Sequence, residues 1–283
     1  MTVDFCQRFM FERFAIRGAL TQLRQSHQAV LSQHPYPEPV IQLLGEFMAA
    51  ISVLGDALKA PGLMSLQARG TGQVRTVVAE FEYPARLRAI ARYHDDFIDS
   101  GRLLDTGHLA LTLEPQGGQR YQGIVALEAQ PLAKALEDYF AQSEQLKTRL
   151  WLAADGQRAG ALMLQDLPQA ERDPEDWRRV EMLADTVTDE ELLHIPPEQL
   201  LHRLFHEEDV RVWPPSAREF GCTCSRERSM EAVRALGKDD ALALAQELGA
   251  IMIDCQFCHA KYAFAEPAVE AIFANPAGAQ TDD

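Results

Sequence analysis

The chain has 283 residues, 47% of them hydrophobic, with 42 acidic and 27 basic side chains that give a formal net charge of -15. This composition can fill a packed core, and the length favours one large domain with a smaller one. The negative charge repels nucleic-acid phosphates, so we expect no nucleic-acid partner.

The first twenty residues do not form a secretory signal. Asp4, Arg8, Glu12 and Arg13 interrupt every candidate apolar region, and no small-residue cleavage site follows. No stretch reaches about 18 apolar residues, so we expect no membrane span and no membrane partner. We therefore predict a cytoplasmic protein, whose thiols stay reduced by default.

Residues 1–167 are predicted to form a mixed N-terminal domain, which begins with two helices. The first helix is predicted over residues 19–31 and ends before HPYPEP, because its three prolines cannot continue a helix. The second starts at Pro39 and is apolar nearly all round, which indicates a buried helix.

Alternating apolar and polar residues then predict a series of strands. A helix over residues 131–146, opened by Pro131, interrupts them. Strands joined as hairpins and mixed with helices indicate an α+β fold with an antiparallel sheet and packed helices. The predicted strands are SLQARG, VRTVVAEFEY, RLRAIARY, HLALTLEP, RYQGIVALE, TRLWLAAD and RAGALMLQDL.

Residues 168–221 are predicted to form a helical linker, which is acidic at its start and contains several prolines. Two apolar stripes at helical spacing run through it. Two interpretations fit these stripes, ordinary docked helices or a connector whose docking is marginal and switchable, and the pattern alone leaves both open. The stripes comprise Trp177, Val180 and Val187, and then Leu200, Leu204 and Phe205.

Residues 222–283 are predicted to form a small C-terminal domain. Two short helices end at Gly237 and Gly249, and the short strands AIMID and KYAFA flank the turn CQFC. A unit of about 45 residues buries little apolar surface, so it needs a covalent or metal staple.

Two close cysteine pairs lie in this domain, the CxC pair Cys222 and Cys224 and the CxxC pair Cys255 and Cys258. Two such pairs supply the four soft ligands of a tetrahedral site, so we predict one zinc ion held by all four thiolates. Residues 255–259 also match the CxxCH haem-attachment pattern, but haem would need export and would leave the CxC pair unexplained. We expect His259 to face solvent or touch a ligand, with replacement of one thiolate as the alternative, and Cys6 to be a core residue.

The same thiolates could serve as a redox switch. Zinc-bound thiolates are nucleophiles that oxidants attack, and disulfide formation expels the metal. Loss of the metal would unfold so small a domain, because zinc contributes about 10–16 kcal/mol to the folding of zinc peptides. The chemistry alone leaves a static staple and a switch both open.

The residues CTCSRER and CQFCHAKYAF, in this order and at this separation, resemble the 33 kDa chaperonin family, the redox-regulated heat-shock chaperones of bacteria. Further segments extend the resemblance over nearly the whole chain. They are YPEPV, RYQGIVALE, EDYFAQSEQLKTRL and RLFHEEDVRVW.

The resemblance implies an ATP-independent holdase chaperone, not an enzyme. The reduced form would be an inactive, zinc-bound monomer. Oxidation would pair Cys222 with Cys224 and Cys255 with Cys258, release zinc, and unfold the C-terminal domain and the linker. The active form, a homodimer, would then bind unfolding client proteins. The six stripe residues are thus candidates for client binding or linker docking.

Two other functions are compatible with the sequence. A static zinc ribbon could bind nucleic acid or another protein, and the N-terminal domain could hold an unrecognised enzyme pocket. The sequence contains no phosphate-binding GxxxxGK[ST] loop, no GxSxG nucleophile elbow and no HExxH metal helix.

Overall fold

The computed structural model describes residues 4–98, 101, 103–168 and 174–274. The chain divides into two compact units, the N-terminal unit Met1–Gly221 and the C-terminal unit Cys222–Asp283. The predicted linker, residues 168–221, belongs to the first unit, and its behaviour as a metastable segment stays a prediction. Its residues 169–173 and the tail from 275 onward lie outside the described residues.

The N-terminal unit confirms the predicted α+β class, and each strand predicted between residues 65 and 167 is present within three residues of its expected ends. Its elements, in chain order, are β1 (Phe5–Phe11), β2 (Ile16–Leu23), α1 (Gln25–Leu31), α2 (Glu38–Gly55), β3 (Gly62–Gly70), β4 (Val74–Glu82), β5 (Arg86–Tyr93), β6 (Gly107–Pro115), β7 (Tyr121–Leu127), α3 (Leu132–Tyr139) with a π-helical turn (Phe140–Glu144), β8 (Thr148–Ala154), β9 (Ala159–Asp166), α4 (Pro174–Ala184), α5 (Asp189–His194), α6 (Pro197–Phe205), β10 (Val210–Val212), β11 (Ser216–Ala217) and β12 (Glu219–Phe220).

These strands form two sheets instead of the single sheet expected. Within the described residues, the first has the order β10-β1-β2-β9-β8, with β11 also on β1, and the second has the order β12-β5-β4-β3-β6-β7. All pairings are antiparallel except that of β12 with β5. The last strands of the unit thus return to the edges of both sheets.

Helix α2 is the centre of the N-terminal unit, as its all-round apolar character predicts. It contacts strands of both sheets, and Leu44, Phe47 and Ile51 are fully buried. By length and composition alone α2 could cross a membrane, but 72% of its apolar window is buried inside the protein. Its apolar surface is therefore used by the core of this unit.

The helix predicted over residues 19–31 is wrong for its first half. Residues 19–23 belong to β2, which lies between β1 and β9 and is buried on both faces, so the alternation that marks a half-buried strand is missing. Helix α1 begins only at Gln25. The carboxylate of Asp4 caps it by accepting hydrogen bonds from the Gln25 amide (3.0 Å) and the Ser26 amide (2.6 Å).

Helices α4 and α6 of the predicted linker cover one face of the first sheet. Five of the six stripe residues are buried there, and Val187 is partly buried. The Phe205 ring packs edge-on against Phe11 at 5.1 Å between centroids. The face that they cover includes Phe9, Phe11, Ile16, Leu20, Leu162 and Leu164.

The C-terminal unit contains a hairpin and three helices within its described residues. They are α7 (Arg226–Ala235), α8 (Lys238–Leu248), β13 (Ile251–Asp254), β14 (Lys261–Phe264) and α9 (Glu266–Ala274). Ser225 is the N-cap of α7, while Ser229 lies within the helix. Gly237 and Gly249 have positive φ, which explains why the predicted helices end there.

A buried histidine lies beneath α2 in the N-terminal unit. Neither ring nitrogen of His27 has a partner in good hydrogen-bond geometry among the described residues, although the backbone of Ile41 and Gln157 lies nearby, and the absence of a side chain at Gly45 makes room for the ring. Burial lowers the pKa of His27 to about 4, although the charges of Asp155 and Asp4 oppose this shift. The neutral imidazole is thus the form compatible with the fold.

We expect this residue to make the N-terminal unit sensitive to acid. The pKa of His27 is lower in the folded chain than in the unfolded chain. The stability that its neutral form provides is therefore complete above pH 6.5 and is lost as the pH falls towards 4. Between pH 7 and pH 4.5, the His27→Leu variant should lose roughly 2.5 kcal/mol less free energy of unfolding than the parent chain. Urea unfolding followed by tryptophan fluorescence measures this unit, since Trp151, Trp177 and Trp213 all lie in it.

The exposed His202→Gln is the matched control and should keep the parent pH dependence. An unchanged pH dependence in His27→Leu would show that other groups cause the acid sensitivity.

Candidate metal centre

The four cysteines of the two pairs come from two separate parts of the C-terminal unit. Cys222 and Cys224 lie in the segment that leads into α7, and Cys255 and Cys258 lie in the turn between β13 and β14. The turn is tight, because the Cys255 amide donates to the Ala260 carbonyl and the His259 amide donates to the Cys255 carbonyl, both at 2.9 Å. This backbone geometry points both thiols of the turn to one side.

The four sulfur atoms form one cluster. Cys222 Sγ lies 3.5 Å from Cys255 Sγ, Cys224 Sγ lies 3.4 Å from Cys258 Sγ, and all four lie within 4.8 Å of one another. A tetrahedral site with metal–sulfur bonds of about 2.3 Å has sulfur–sulfur edges of about 3.8 Å. The four cysteines are therefore positioned to hold a metal ion, and the donor set of four thiolates favours zinc.

Neighbouring groups affect the charge of these thiols. Burial raises the pKa of the Cys255 and Cys258 thiols, so four thiolates are not stable side by side without a cation. A divalent ion supplies the missing positive charge. The Tyr262 hydroxyl donates to Cys224 Sγ at 3.2 Å. This contact was not predicted from the sequence, although the alternation of β14 could have suggested it.

The other two candidates lie apart from this cluster. His259 is exposed and has a left-handed backbone conformation with φ of 57°. The four-atom cluster found among the described residues contains no imidazole, which agrees with a solvent-facing His259. Cys6 is buried in the core of the N-terminal unit, as predicted.

The fold and the site together define a two-unit protein, with a two-sheet α+β unit and a small unit whose four cysteines can hold a metal. The family model described as Hsp33 protein matches residues 4–265. The chain therefore belongs to the Hsp33 family, and its family resemblance is confirmed.

Named relatives and a solved structure agree with this assignment. The 33 kDa chaperonin of Ectopseudomonas mendocina is 48% identical over 96% of both chains. That of Pseudomonas paraeruginosa is 49% identical over 98% of this chain and 96% of its own. The crystal structure of the 33 kDa chaperonin of Thermotoga maritima has a TM-score of 0.79 at 19% identity, covering 95% of this chain and 98% of that one, which shows a shared fold.

Replacement of one of the four cysteines should destabilise the C-terminal unit and leave the N-terminal unit folded. We expect Cys258→Ser to lose most of the zinc that the reduced chain retains, because a hydroxyl is a poor replacement for a thiolate. Backbone amides of α7–α9 should then exchange with solvent at close to unfolded rates, while those of α2 stay protected. Zinc content with a chromogenic chelator and hydrogen exchange by mass spectrometry measure both effects.

Cys6→Ala, which removes the cysteine outside the cluster, should keep both the zinc and the protection of α7–α9. Full protection of α7–α9 in Cys258→Ser would contradict a metal-dependent fold.

Proposed function

We propose that this chain is a redox-regulated, ATP-independent holdase chaperone of the cytoplasm and has no enzymatic activity. In the reduced monomer, Cys222, Cys224, Cys255 and Cys258 hold one zinc ion and the chaperone is inactive. Oxidation pairs Cys222 with Cys224 and Cys255 with Cys258, and zinc leaves. The C-terminal unit and the linker, residues 168–221, then unfold, and the resulting homodimer binds unfolding proteins.

The observation that carries this proposal is that the C-terminal unit has a four-sulfur cluster but only a small apolar core. Among the described residues only seven apolar side chains of this unit are buried, three of them alanine or valine residues of α7 and α8. So small a core gives little free energy of folding without a staple. Oxidation of the four thiolates therefore removes the main stabilising interaction of this unit. The seven are Val233, Ala241, Ala245, Ile251, Phe264, Val269 and Ile272.

The linker helices give a second reason for the proposal. They hide an apolar face of the first sheet, and release of these helices would expose surface on both partners. Holdases need such surface because it binds the apolar segments of unfolding proteins. The six stripe residues are accordingly proposed as the docking contacts, and as candidates for client binding after release.

Polar contacts hold the same helices at the rim. The Arg149 guanidinium forms ion pairs with Glu137 of α3 and with Glu181 of α4, and Arg203 of α6 pairs with Glu191 of α5. Such partly exposed pairs contribute at most about 1 kcal/mol each. Apolar packing therefore contributes most of the free energy of docking. Heating promotes local unfolding, which would release the packed helices.

Peroxide treatment at raised temperature tests the proposed function. The oxidised chain should release its zinc and suppress aggregation of a thermally unfolding client, whereas the reduced chain should do neither. Peptide mapping by mass spectrometry should find the pairs Cys222–Cys224 and Cys255–Cys258. Zinc loss without any gain of holdase activity, or activity that is equal in the reduced chain, would refute the proposal.

Weaker docking of the linker should lower the threshold for activation. Phe205 is 2% exposed, and its truncation in Phe205→Ala should cost about 3–5 kcal/mol of packing. We expect this variant to suppress client aggregation at a lower temperature than the parent chain at equal oxidant, with faster hydrogen exchange in α4 and α6.

Met182 offers a matched control on α4, because it is 70% exposed. Met182→Ala should keep the parent threshold. Equal thresholds for both variants would show that docking of these helices does not limit activation.

A further inference from the structure

The N-terminal unit contains a groove whose charge is opposite to that of the chain as a whole. A cavity of about 280 Å³ is lined by Arg8, Arg17 and Lys59, and Asp56 is its single acidic lining residue within the described part of the chain. Three positive charges against one negative charge give the lining a formal charge of +2. The whole chain, in contrast, carries -15.

The one carboxylate of this cavity is already engaged. Asp56 Oδ2 lies 3.0 Å from Arg8 Nε, and Asp56 Oδ1 lies 3.2 Å from Nη2 of the buried Arg218. Ser216 Oγ also lies 3.2 Å from Asp56 Oδ1. Asp56 therefore offers little further capacity to neutralise the other cations of the cavity.

Arg17 has a neutral partner in place of a carboxylate. Its Nε and Nη2 both donate to Gln165 Oε1, at 2.9 and 2.6 Å, and no ion pair to Arg17 is formed by the described residues. Its surroundings are partly desolvated, which lowers its pKa. A guanidinium in such a position favours an added anion, because a charge-assisted hydrogen bond is stronger than a neutral one.

A second cavity of about 290 Å³ continues from the same arginine. Arg17, Ala57 and Met163 line both cavities, so the two are adjacent and Arg17 borders each of them. The far side is apolar and contains Leu54, Met64, Leu111, Leu113, Phe140 and Leu146. Together the cavities reach the range of volumes that small-molecule sites occupy.

The polar groups of this second cavity are used within the protein. The hydroxyls of Tyr121 and Tyr139 both donate to Glu144 Oε1, at 3.0 and 3.1 Å, and Gln165 bonds to Arg17 and Thr148. A bound polypeptide backbone would find few partners for its N–H and C=O groups, at a cost in free energy. A methylene chain needs no such partners.

We propose that this groove binds a linear alkyl carboxylate, with its carboxylate at Arg17 and Lys59 and its chain in the apolar cavity. A methylene group fills about the volume of one liquid water molecule, about 30 Å³, so the apolar cavity takes a chain of roughly ten carbons. No cysteine of the four-cysteine cluster lines either cavity, and the proposal does not rest on the proposed chaperone activity.

Isothermal titration of the reduced full chain with dodecanoate, below its micellar concentration, tests the proposal. Dodecanoate should bind at one site, hexanoate should bind at least 100-fold more weakly because each methylene contributes about 0.8 kcal/mol, and dodecyltrimethylammonium should not bind there. Near-UV circular dichroism of the same samples should remain native, which separates binding from unfolding by a surfactant.

Two variants test the two ends of the groove. Arg17→Gln should weaken dodecanoate binding about 10- to 100-fold, the effect of one charged hydrogen bond. Ala57→Phe, at an exposed position that lines both cavities, should block binding with the charges intact. The exposed Arg13→Gln, from the turn that precedes β2, removes the same charge outside the groove and should bind as the parent does.

Equal binding by the Arg17→Gln and Arg13→Gln variants, or equal binding of the cationic surfactant, would overturn the proposal. So would binding of an acidic apolar peptide without any binding of dodecanoate, which would assign the groove to polypeptides. Absence of binding at millimolar dodecanoate in the folded parent chain would overturn it as well.

Discussion

Four sulfur atoms meet in one cluster of the C-terminal unit, whose apolar core is small, and we propose that the fold of this unit depends mainly on the metal that they would hold. They bring together the segment before α7 and the turn of a two-stranded hairpin. Four reduced thiolates bind a metal tightly, and oxidation of the thiolates releases it. The same interaction can therefore stabilise a fold and limit the conditions under which that fold exists.

The N-terminal unit has a different source of stability. Helix α2 lies among strands of both sheets, and its buried side chains connect them into one core. The linker helices are held outside this core by a second apolar cluster. Because this cluster is built on one face of a sheet, the proposed release of the helices would leave the main core of the unit intact.

The sequence predicted those elements whose pattern is local. Period-two strands between residues 65 and 167, the helix after Pro39 and the helix ends at Gly237 and Gly249 are confirmed, since each depends on neighbouring residues. Strand β2 was missed because it is buried on both faces, and the start of α1 depends on Asp4, about twenty residues away. Helix α9 was also missed, although Pro267 suits its first turn and Val269 and Ile272 have helical spacing. The cysteine cluster was predictable from spacing, whereas the Tyr262 contact and the cations around Asp56 require the tertiary fold.

The arrangement of the sulfur atoms has a consequence for chain entropy. Two sulfur contacts join cysteines 33 and 34 residues apart, so a shared metal closes a long loop. Disulfides within the CxC and CxxC pairs would close only very short loops and leave the long one open. In a chain-entropy model, a loop of this length restricts the unfolded ensemble by roughly 3–4 kcal/mol. The proposed oxidation thus replaces a long-range cross-link by local ones, and restores to the segment between the pairs the conformational freedom that the metal had removed.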